Sequence, residues 1–302
     1  MSNYVETSHM FELKRMFRQV WVDKVFIITS TLAVAILAVM ITLTLPDVYR
    51  SEAVLAPSES FASDIPQVGG LSSLASIAGL RLGQSNSQVE LALEYLRSRV
   101  FLDSFLQKYP SAQIELMAVD HWDKGSNTLF YDEDVYDKST DTWLREPKPM
   151  RPAQPTLEET HEIFLENLSI EQNRISPFIR LSFTHESPHV AQRWVVRLIQ
   201  EVNYFLQQKS LVQTERSIAY LEEQLLSTQV DYINQSLFTL IQTQMEKRML
   251  AQTSPEYIFQ IIDPPHISGR KYAPNRLLIV FLCMLLGGTL STIFTILRHH
   301  FK

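Results

Sequence analysis

The clearest candidate for catalytic chemistry in this sequence is a short histidine pattern. His185, Glu186 and His189 match H-E-x-x-H, in which two histidines bind zinc from consecutive turns of one helix and the glutamate lies beside the metal-bound water. Pro188 falls between these histidines, and the residues before them alternate as a strand. We therefore expect the histidines to straddle a strand-to-helix junction. A zinc hydrolase is the enzymatic alternative, but the pattern favours no catalytic residue and no metal site.

Other candidate chemistry is weaker still. The adjacent acids Asp132, Glu133 and Asp134 lack the spaced ligands of a calcium loop, so we interpret them as a solvated acidic loop. The sequence contains neither a G-x-S-x-G nucleophile elbow nor a phosphate-binding G-x-x-x-x-G-K-[ST] loop. We expect no enzyme activity and no cofactor.

Three cations and a group of prolines precede the second of two long apolar runs. Arg270, Lys271 and Arg276 are candidate contacts for lipid phosphate or an anionic glycan, by charge complementarity. The proline-rich segment around them contains Asp263, Pro264, Pro265 and Pro274. Because proline fixes the backbone φ angle, we expect this segment to couple the geometry of the preceding domain to that of the apolar run.

The two apolar runs, Val25–Leu45 and Leu277–Leu297, are the elements that would position this chemistry. Each has roughly the 20 residues needed to cross the hydrocarbon layer of a bilayer, so we predict two transmembrane helices. Cations precede the first run at positions 14, 15, 18 and 24. The positive-inside rule then places both termini in the cytoplasm, and the fully inverted topology is the alternative.

Small residues on one face of the second run predict that it packs against another span. Gly287, Gly288 and Ser291 would allow close helix contact in lipid. The first run offers a weaker counterpart, made of Thr31, Ala35, Ala38 and Thr42.

The spans divide the chain into five parts. We predict a cytoplasmic tail at 1–24, a transmembrane helix at 25–45, a periplasmic domain at 46–276, a second transmembrane helix at 277–297 and a cytoplasmic tail at 298–302. Within the periplasmic domain, an α/β base at 46–187 and 253–276 would carry a long helical region at 188–252. The predicted fold class is α+β, in which two transmembrane helices flank an α/β base with a long protruding helix or helical hairpin.

Local patterns place the elements of the central domain. Alternation and β-propensity predict strands at 48–55, 168–172, 178–184 and 257–262, the last of which should rejoin the sheet. Helical spacing predicts one helix over 88–109, one that begins after a capping box at Thr156 and Glu159, and a long one from Pro188 to about Gln252. The long helix is expected to bend near 227–236, because the return segment is too short to close an unbroken helix. Residues 114–155 are interpreted as an irregular surface excursion.

Composition narrows the class of partner. The formal net charge is −6, and both predicted tails are positive, so the central domain is acidic and nucleic acid is not an expected partner. The only cysteine, Cys283, lies in the second apolar run, so the central domain can form no disulfide.

Taken together, these features resemble the Wzz-type chain-length determinants, the polysaccharide co-polymerases of bacterial surface glycans. The resemblance rests on the two terminal spans, the strand that leaves the first, the helix over 89–106 and the start of the long helix at Ser187 and Pro188. Its most specific part is IDPP at 262–265 leading into APNRLLIV at 273–280, followed by Gly287 and Gly288.

This resemblance implies a non-enzymatic scaffold of the bacterial inner membrane. It would form a homo-oligomeric ring and act with a separate polysaccharide polymerase on lipid-linked glycan. Its role would be to regulate the chain length of a surface polysaccharide such as the O-antigen of lipopolysaccharide. Two alternatives stay open: an inner-membrane adaptor for capsule or exopolysaccharide export, and a membrane-anchored periplasmic zinc hydrolase.

Overall fold

The computed structural model describes residues 21, 23–58, 84–149, 151–172, 176–227 and 231–300. The chain separates into two compact units, one from Met1–Asp47 together with Lys271–Lys302 and the other from Val48–Arg270. Most of the predicted N-terminal tail, up to residue 20, lies outside the described residues, as do residues 301–302.

The elements alternate between helices and strands along the chain. The helices are α1 (Lys24–Thr44), α2 (Gln84–Arg97), α3 (Arg99–Lys108), α4 (Ser111–Met117), α5 (Leu157–Asn167), α6 (Pro188–Ser227), α7 (Asp231–Thr253) and α8 (Arg276–His300). The strands are β1 (Tyr49–Pro57), β2 (Val119–Asp123), β3 (Thr128–Tyr131), β4 (Tyr136–Asp137), β5 (Thr142–Trp143), β6 (Leu168–Gln172), β7 (Ile179–His185) and β8 (Phe259–Asp263). The mixed helix and strand content matches the predicted class.

The first unit is a pair of apolar helices. The bounds of α1 and α8 agree closely with those of the two predicted spans. Both helices are long and apolar enough to cross a membrane. They pack along each other, which buries Ala35, Ala38 and Thr42 of α1. Away from its ends, each helix bonds its own backbone N–H and C=O groups to one another, as hydrocarbon requires.

The second unit is built on a four-stranded antiparallel sheet in the order β6-β7-β1-β8. Along β1, Ser51, Ala53 and Leu55 are buried and alternate with less buried residues. α6 packs on this face, where the Trp194 ring stacks on Phe183 with centroids 4.5 Å apart. The sequence-predicted strands are confirmed, including the return strand, which pairs with β1 as expected.

The predicted helix over 88–109 is wrong in one respect, because it is two helices. α2 ends at Arg97, and the Ser98 side chain caps α3 by accepting a hydrogen bond from the Phe101 backbone N–H at 3.1 Å. Apolar spacing continues across this break, since Leu96, Phe101 and Phe105 all enter the same core. Periodicity alone therefore gave no sign of the cap.

The predicted irregular excursion also has more structure than expected. It begins with α4 and continues as two small hairpins, β2–β3 and β4–β5. Each hairpin closes with the same pair of residue types, Asp123 with Thr128 and Asp137 with Thr142. The excursion is thus a helix followed by two related hairpins.

The long helical region folds back on itself, as the return distance required. α6 ends at Ser227 and α7 begins at Asp231, inside the interval predicted for the bend. The two helices run antiparallel, because Glu215 pairs with Arg248 at 3.3 Å and the Gln207 side chain donates to the Ala251 carbonyl at 2.6 Å. The first turns of α6 cover the sheet. The rest of this 40-residue helix, paired with α7, extends beyond the sheet as a helical hairpin.

Candidate functional site

The histidine pattern lies at the junction of β7 and α6, where the sequence predicted it. The buried His185 ring accepts a hydrogen bond from the Ser187 N–H at Nδ1 (3.0 Å), so Nε2 carries the proton and donates to the Glu115 carbonyl (2.8 Å). His189 belongs to α6 and lies beside Trp122, with ring centroids 6.1 Å apart. Backbone groups engage both nitrogens of His185, so this arrangement does not present it as a zinc ligand.

Other potential metal ligands are dispersed in the described part of the chain. Among the residues that the structure describes, no group of three or more His, Cys, Asp or Glu side chains could hold a metal ion. The acids Asp132 and Asp134 make a local turn, in which the Asp134 N–H donates to Asp132 Oδ1 at 2.9 Å. These acids fit the expected solvated loop.

Glu115 is the buried carboxylate that fastens α4 to the core. It accepts hydrogen bonds from Arg193 at 2.8 Å and from the Trp194 indole N–H at 3.1 Å. Its backbone carbonyl also receives the His185 proton. A buried carboxylate needs such partners, because an unpaired charge inside a protein is strongly destabilising. This cluster stabilises the fold, and sequence reasoning did not find it.

Asn203 holds the segment that leads from α7 into β8. Its Oδ1 accepts from the backbone N–H groups of Ile258 and Phe259, both at 2.9 Å, and its Nδ2 donates to the Phe259 carbonyl at 3.0 Å. One turn further on, Gln207 donates to carbonyls of Ala251 and Ser254. These two α6 side chains therefore fix where the chain leaves the helical hairpin and rejoins the sheet.

The proline-rich segment continues from this return strand. β8 ends at Asp263, the Pro265 carbonyl accepts a hydrogen bond from Gln192 at 3.2 Å, and the His266 carbonyl accepts one from Ser51 at 2.8 Å. In the first unit, the Ala273–Pro274 peptide bond is cis, and the Pro274 carbonyl accepts from the Arg276 N–H at 3.0 Å. These hydrogen bonds fix the backbone at Pro265 in the second unit and at Pro274 in the first.

The three candidate cations fall into two settings. Lys271 and Arg276 both donate to Asp47 Oδ1, at 3.2 and 3.0 Å, and Arg276 also donates to the Leu45 carbonyl at 3.2 Å. Arg270 is exposed, and its carbonyl accepts a hydrogen bond from Ser268. Two of the three cations thus have a carboxylate partner within the chain, and an external phosphate would compete with it.

The small residues of α8 face α1. A Cβ at Gly287 would lie 3.1 Å from the Cβ and Cγ1 atoms of Val34, whereas one at Gly288 would lie 3.7 Å or more from Thr31. Ser291 shares a short hydrogen bond with Ser30. Of these two glycines, Gly287 therefore lies closer to α1, and any side chain there would crowd Val34.

Within the second unit, exposed apolar side chains are concentrated on the helical hairpin. Leu226 is 90% exposed and Tyr232 is 80% exposed, close to where α6 ends and α7 begins. Further exposed members are Val212, Tyr220, Ile233, Phe238, Leu240, Met245 and Met249. Exposed apolar surface of this extent typically marks an interaction site.

Sequence reasoning missed a short internal repeat in the excursion. Trp122-Asp123-Lys124 and Tyr136-Asp137-Lys138 stand 14 residues apart, and each is followed by a Thr that closes its hairpin. In each turn the aromatic side chain donates to the residue five positions on, Asn127 or Asp141, and both of these have φ of 54°. A self-comparison of the sequence at this offset would have found both turns.

The chain is similar to a protein family and to solved structures. Residues 9–109 match the family model described as Wzz, chain length determinant protein. The resemblance drawn from the sequence is confirmed. No curated protein matches the chain.

Two solved structures have related descriptions. One, a full-length bacterial polysaccharide co-polymerase, is 16% identical with a TM-score of 0.36, covering 94% of this chain and 96% of that one. The other, a fragment of WzzB, a polysaccharide co-polymerase from Salmonella Typhimurium, is 11% identical with a TM-score of 0.30, covering 76% of this chain and 100% of that one. Neither likeness is close enough to carry a functional conclusion.

Proposed function

We propose that this chain is a non-enzymatic, two-pass membrane scaffold that regulates the chain length of a bacterial surface polysaccharide such as O-antigen. The observation that carries the proposal is the match of residues 9–109 to the chain length determinant family. Two apolar helices that bracket the unit Val48–Arg270 support it, since they would tether that unit to a membrane at both ends. The cations ahead of α1 favour cytoplasmic termini and a periplasmic central unit.

The partners in this proposal are further copies of the chain, a separate polysaccharide polymerase and lipid-linked glycan. A ring of copies would cover the apolar side chains near the turn of the helical hairpin, such as Leu226 and Tyr232, which a single chain leaves in water. Arg270, Lys271 and Arg276 are proposed to contact lipid phosphate, although Asp47 competes for the last two.

Self-association is tested by native mass spectrometry of the full chain in detergent. We expect one dominant oligomer for the wild type and smaller species for Leu226→Glu combined with Tyr232→Glu, because buried charges oppose contact. Leu144→Glu is the matched control, since Leu144 is an exposed leucine away from the hairpin. A wild type that stays monomeric, or a hairpin variant that assembles normally, argues against the ring.

The length-regulating role is tested by deleting the gene and separating surface glycan on gels. We expect loss of the preferred chain length while glycan of other lengths persists. An export adaptor predicts the loss of surface glycan at all lengths instead. A zinc hydrolase predicts that replacing His185 and His189 reproduces the deletion, whereas a scaffold is affected only through folding.

A further inference from the structure

A polar cleft lies among α2, α6, α7 and the segment that leads into β8. Its enclosed part has a volume of about 170 Å³. The polar side chains that line it are Gln88, Lys209, Ser210, Gln213, Thr214, Gln244, Lys247 and Tyr257. No carboxylate is among the described residues that line it, although the chain as a whole carries a net charge of −6. The cleft is thus a positive site in an acidic protein.

The cleft continues as a groove along the exposed side of α6. Lys209 and Gln213 line both, and the groove extends past Arg216 to Tyr220. These four residues have the spacing i, i+4, i+7 and i+11, which places them on one face of the helix. The stretch from Lys209 to Tyr220 is about 16 Å long at 1.5 Å per residue. Such a surface fits an elongated ligand better than a single small ion.

The hydrogen-bonding groups of the cleft suit a ligand rich in hydroxyls. Amides of glutamine both donate and accept, as sugar hydroxyls do. The Gln88 Oε1 atom is buried and has no hydrogen-bond partner, which is costly for an acceptor. Gln88 lines the cleft, so a ligand hydroxyl is a suitable donor for this oxygen. The exposed Tyr220 ring offers an apolar face for a sugar ring at the far end.

We propose that this cleft and groove bind a strand of acidic glycan, with Lys209 and Arg216 holding its carboxylates and the glutamine amides holding its hydroxyls. The inference rests on the proposed function for the presence of glycan, and it adds a place of contact and a charge class. An acidic peptide would meet the cations equally well but lacks the ring hydroxyls that the amides recognise.

The test measures binding of oligogalacturonate to the full-length chain in detergent by isothermal titration calorimetry. We expect oligogalacturonate to bind at least about tenfold more tightly than a maltooligosaccharide of the same length, since each charge-assisted hydrogen bond is worth about that factor. We also expect it to bind at least about tenfold more tightly than a polyglutamate of the same length, which lacks the ring hydroxyls that the glutamine amides would bind. Lys209→Gln with Arg216→Gln should weaken binding at least about tenfold. The control pair, Lys124→Gln with Lys138→Gln, removes the same charge from the two small hairpins and should leave the affinity unchanged.

Three results would overturn the proposal: no binding by the wild type, equal affinities for oligogalacturonate and either comparison oligomer, or full affinity in the Lys209 and Arg216 double variant. Circular dichroism shows whether that variant folds. The proposed function is judged separately by gels of surface glycan. If the chain restores the preferred glycan length but binds no oligogalacturonate, the proposal that the cleft binds acidic glycan is rejected. The proposed length-regulating role then still stands.

Discussion

Asp47 and Arg276 join the ends of the two apolar helices through a single ion pair. Asp47 follows α1 and Arg276 begins α8, and the guanidinium donates to Asp47 Oδ1 at 3.0 Å. Both side chains are about one-third exposed. The Arg276 contact with the Leu45 carbonyl adds a second tie at the same place.

This ion pair should contribute a small, salt-sensitive stabilisation. In a double-mutant cycle with Asp47→Asn and Arg276→Gln, we expect a coupling free energy of about 0.2–1 kcal/mol that falls as salt is added. Thermal unfolding of the full chain in detergent provides the four values. Strict additivity of the two substitutions would mean that the contact has no energetic role.

Gly287→Ala should weaken the pairing of α1 with α8. The new methyl group would meet the Cβ of Val34, which rotation of the valine side chain cannot move, so the helices must separate at a cost of about 1 kcal/mol. Gly288→Ala, with ordinary contacts, is the matched control, and Val34→Gly, which removes the crowded Cβ, should rescue Gly287→Ala. The readout is the rate of disulfide formation between Phe26→Cys and Phe294→Cys on a Cys283→Ser background. Equal rates for the two alanine variants would contradict the geometry.

Asn203→Leu should destabilise the return segment by about 2–4 kcal/mol, because two buried N–H groups and one carbonyl lose their partners. Thermal unfolding of the full chain measures the effect. Gln200→Leu, at an exposed position on the same helix, should stay within about 0.5 kcal/mol of the wild type. A similar loss in both variants would show that the three contacts have no special importance.

Acid should disrupt the second small hairpin. Hydrogen bonds from the side chains of Ser139 and Thr140 lower the pKa of Asp137 from 3.8 to about 2. Because the folded pKa lies below the unfolded one, this stabilisation is present above about pH 4 and is lost as the pH falls through about 2. Near-ultraviolet circular dichroism of the neighbouring Trp143 should report the change.

Asp137→Asn removes the titrating group, so this part of the acid transition should disappear in that variant. Asp134→Asn is the control, since that carboxylate belongs to a different turn, and it should keep the transition. An identical pH profile for all three proteins would refute the assignment to Asp137.

Elements whose signals are local were predictable from the sequence. The capping box of Thr156 and Glu159 forms with both hydrogen bonds, and Pro188 begins α6 as its position after Ser187 indicated. The fold-back of the long helix followed from chain length alone. In these cases the information lies within a few residues or in simple geometry, so no tertiary contact has to be known.

Features that depend on distant contacts were not predictable. Asn203 and Glu115 look like ordinary polar residues of helices, and their roles appear only when β8 and α6 are brought beside them. The break at Ser98 was hidden because the apolar residues on both sides face one core. The sequence likewise predicted that Lys271 and Arg276 contact an external phosphate or anionic glycan. Asp47 pairs with both, but it lies more than 220 residues away in sequence, so no sequence pattern indicated these ion pairs.

The most direct test of the central claim varies the amount of this chain relative to the polymerase. In a deletion strain that expresses the full chain from an inducible promoter, surface glycan is separated by gel while an immunoblot records the membrane-inserted protein. We predict a preferred chain length that becomes more prominent as the protein level rises. A glycan length distribution that stays unchanged across all levels of inserted protein would contradict the claim.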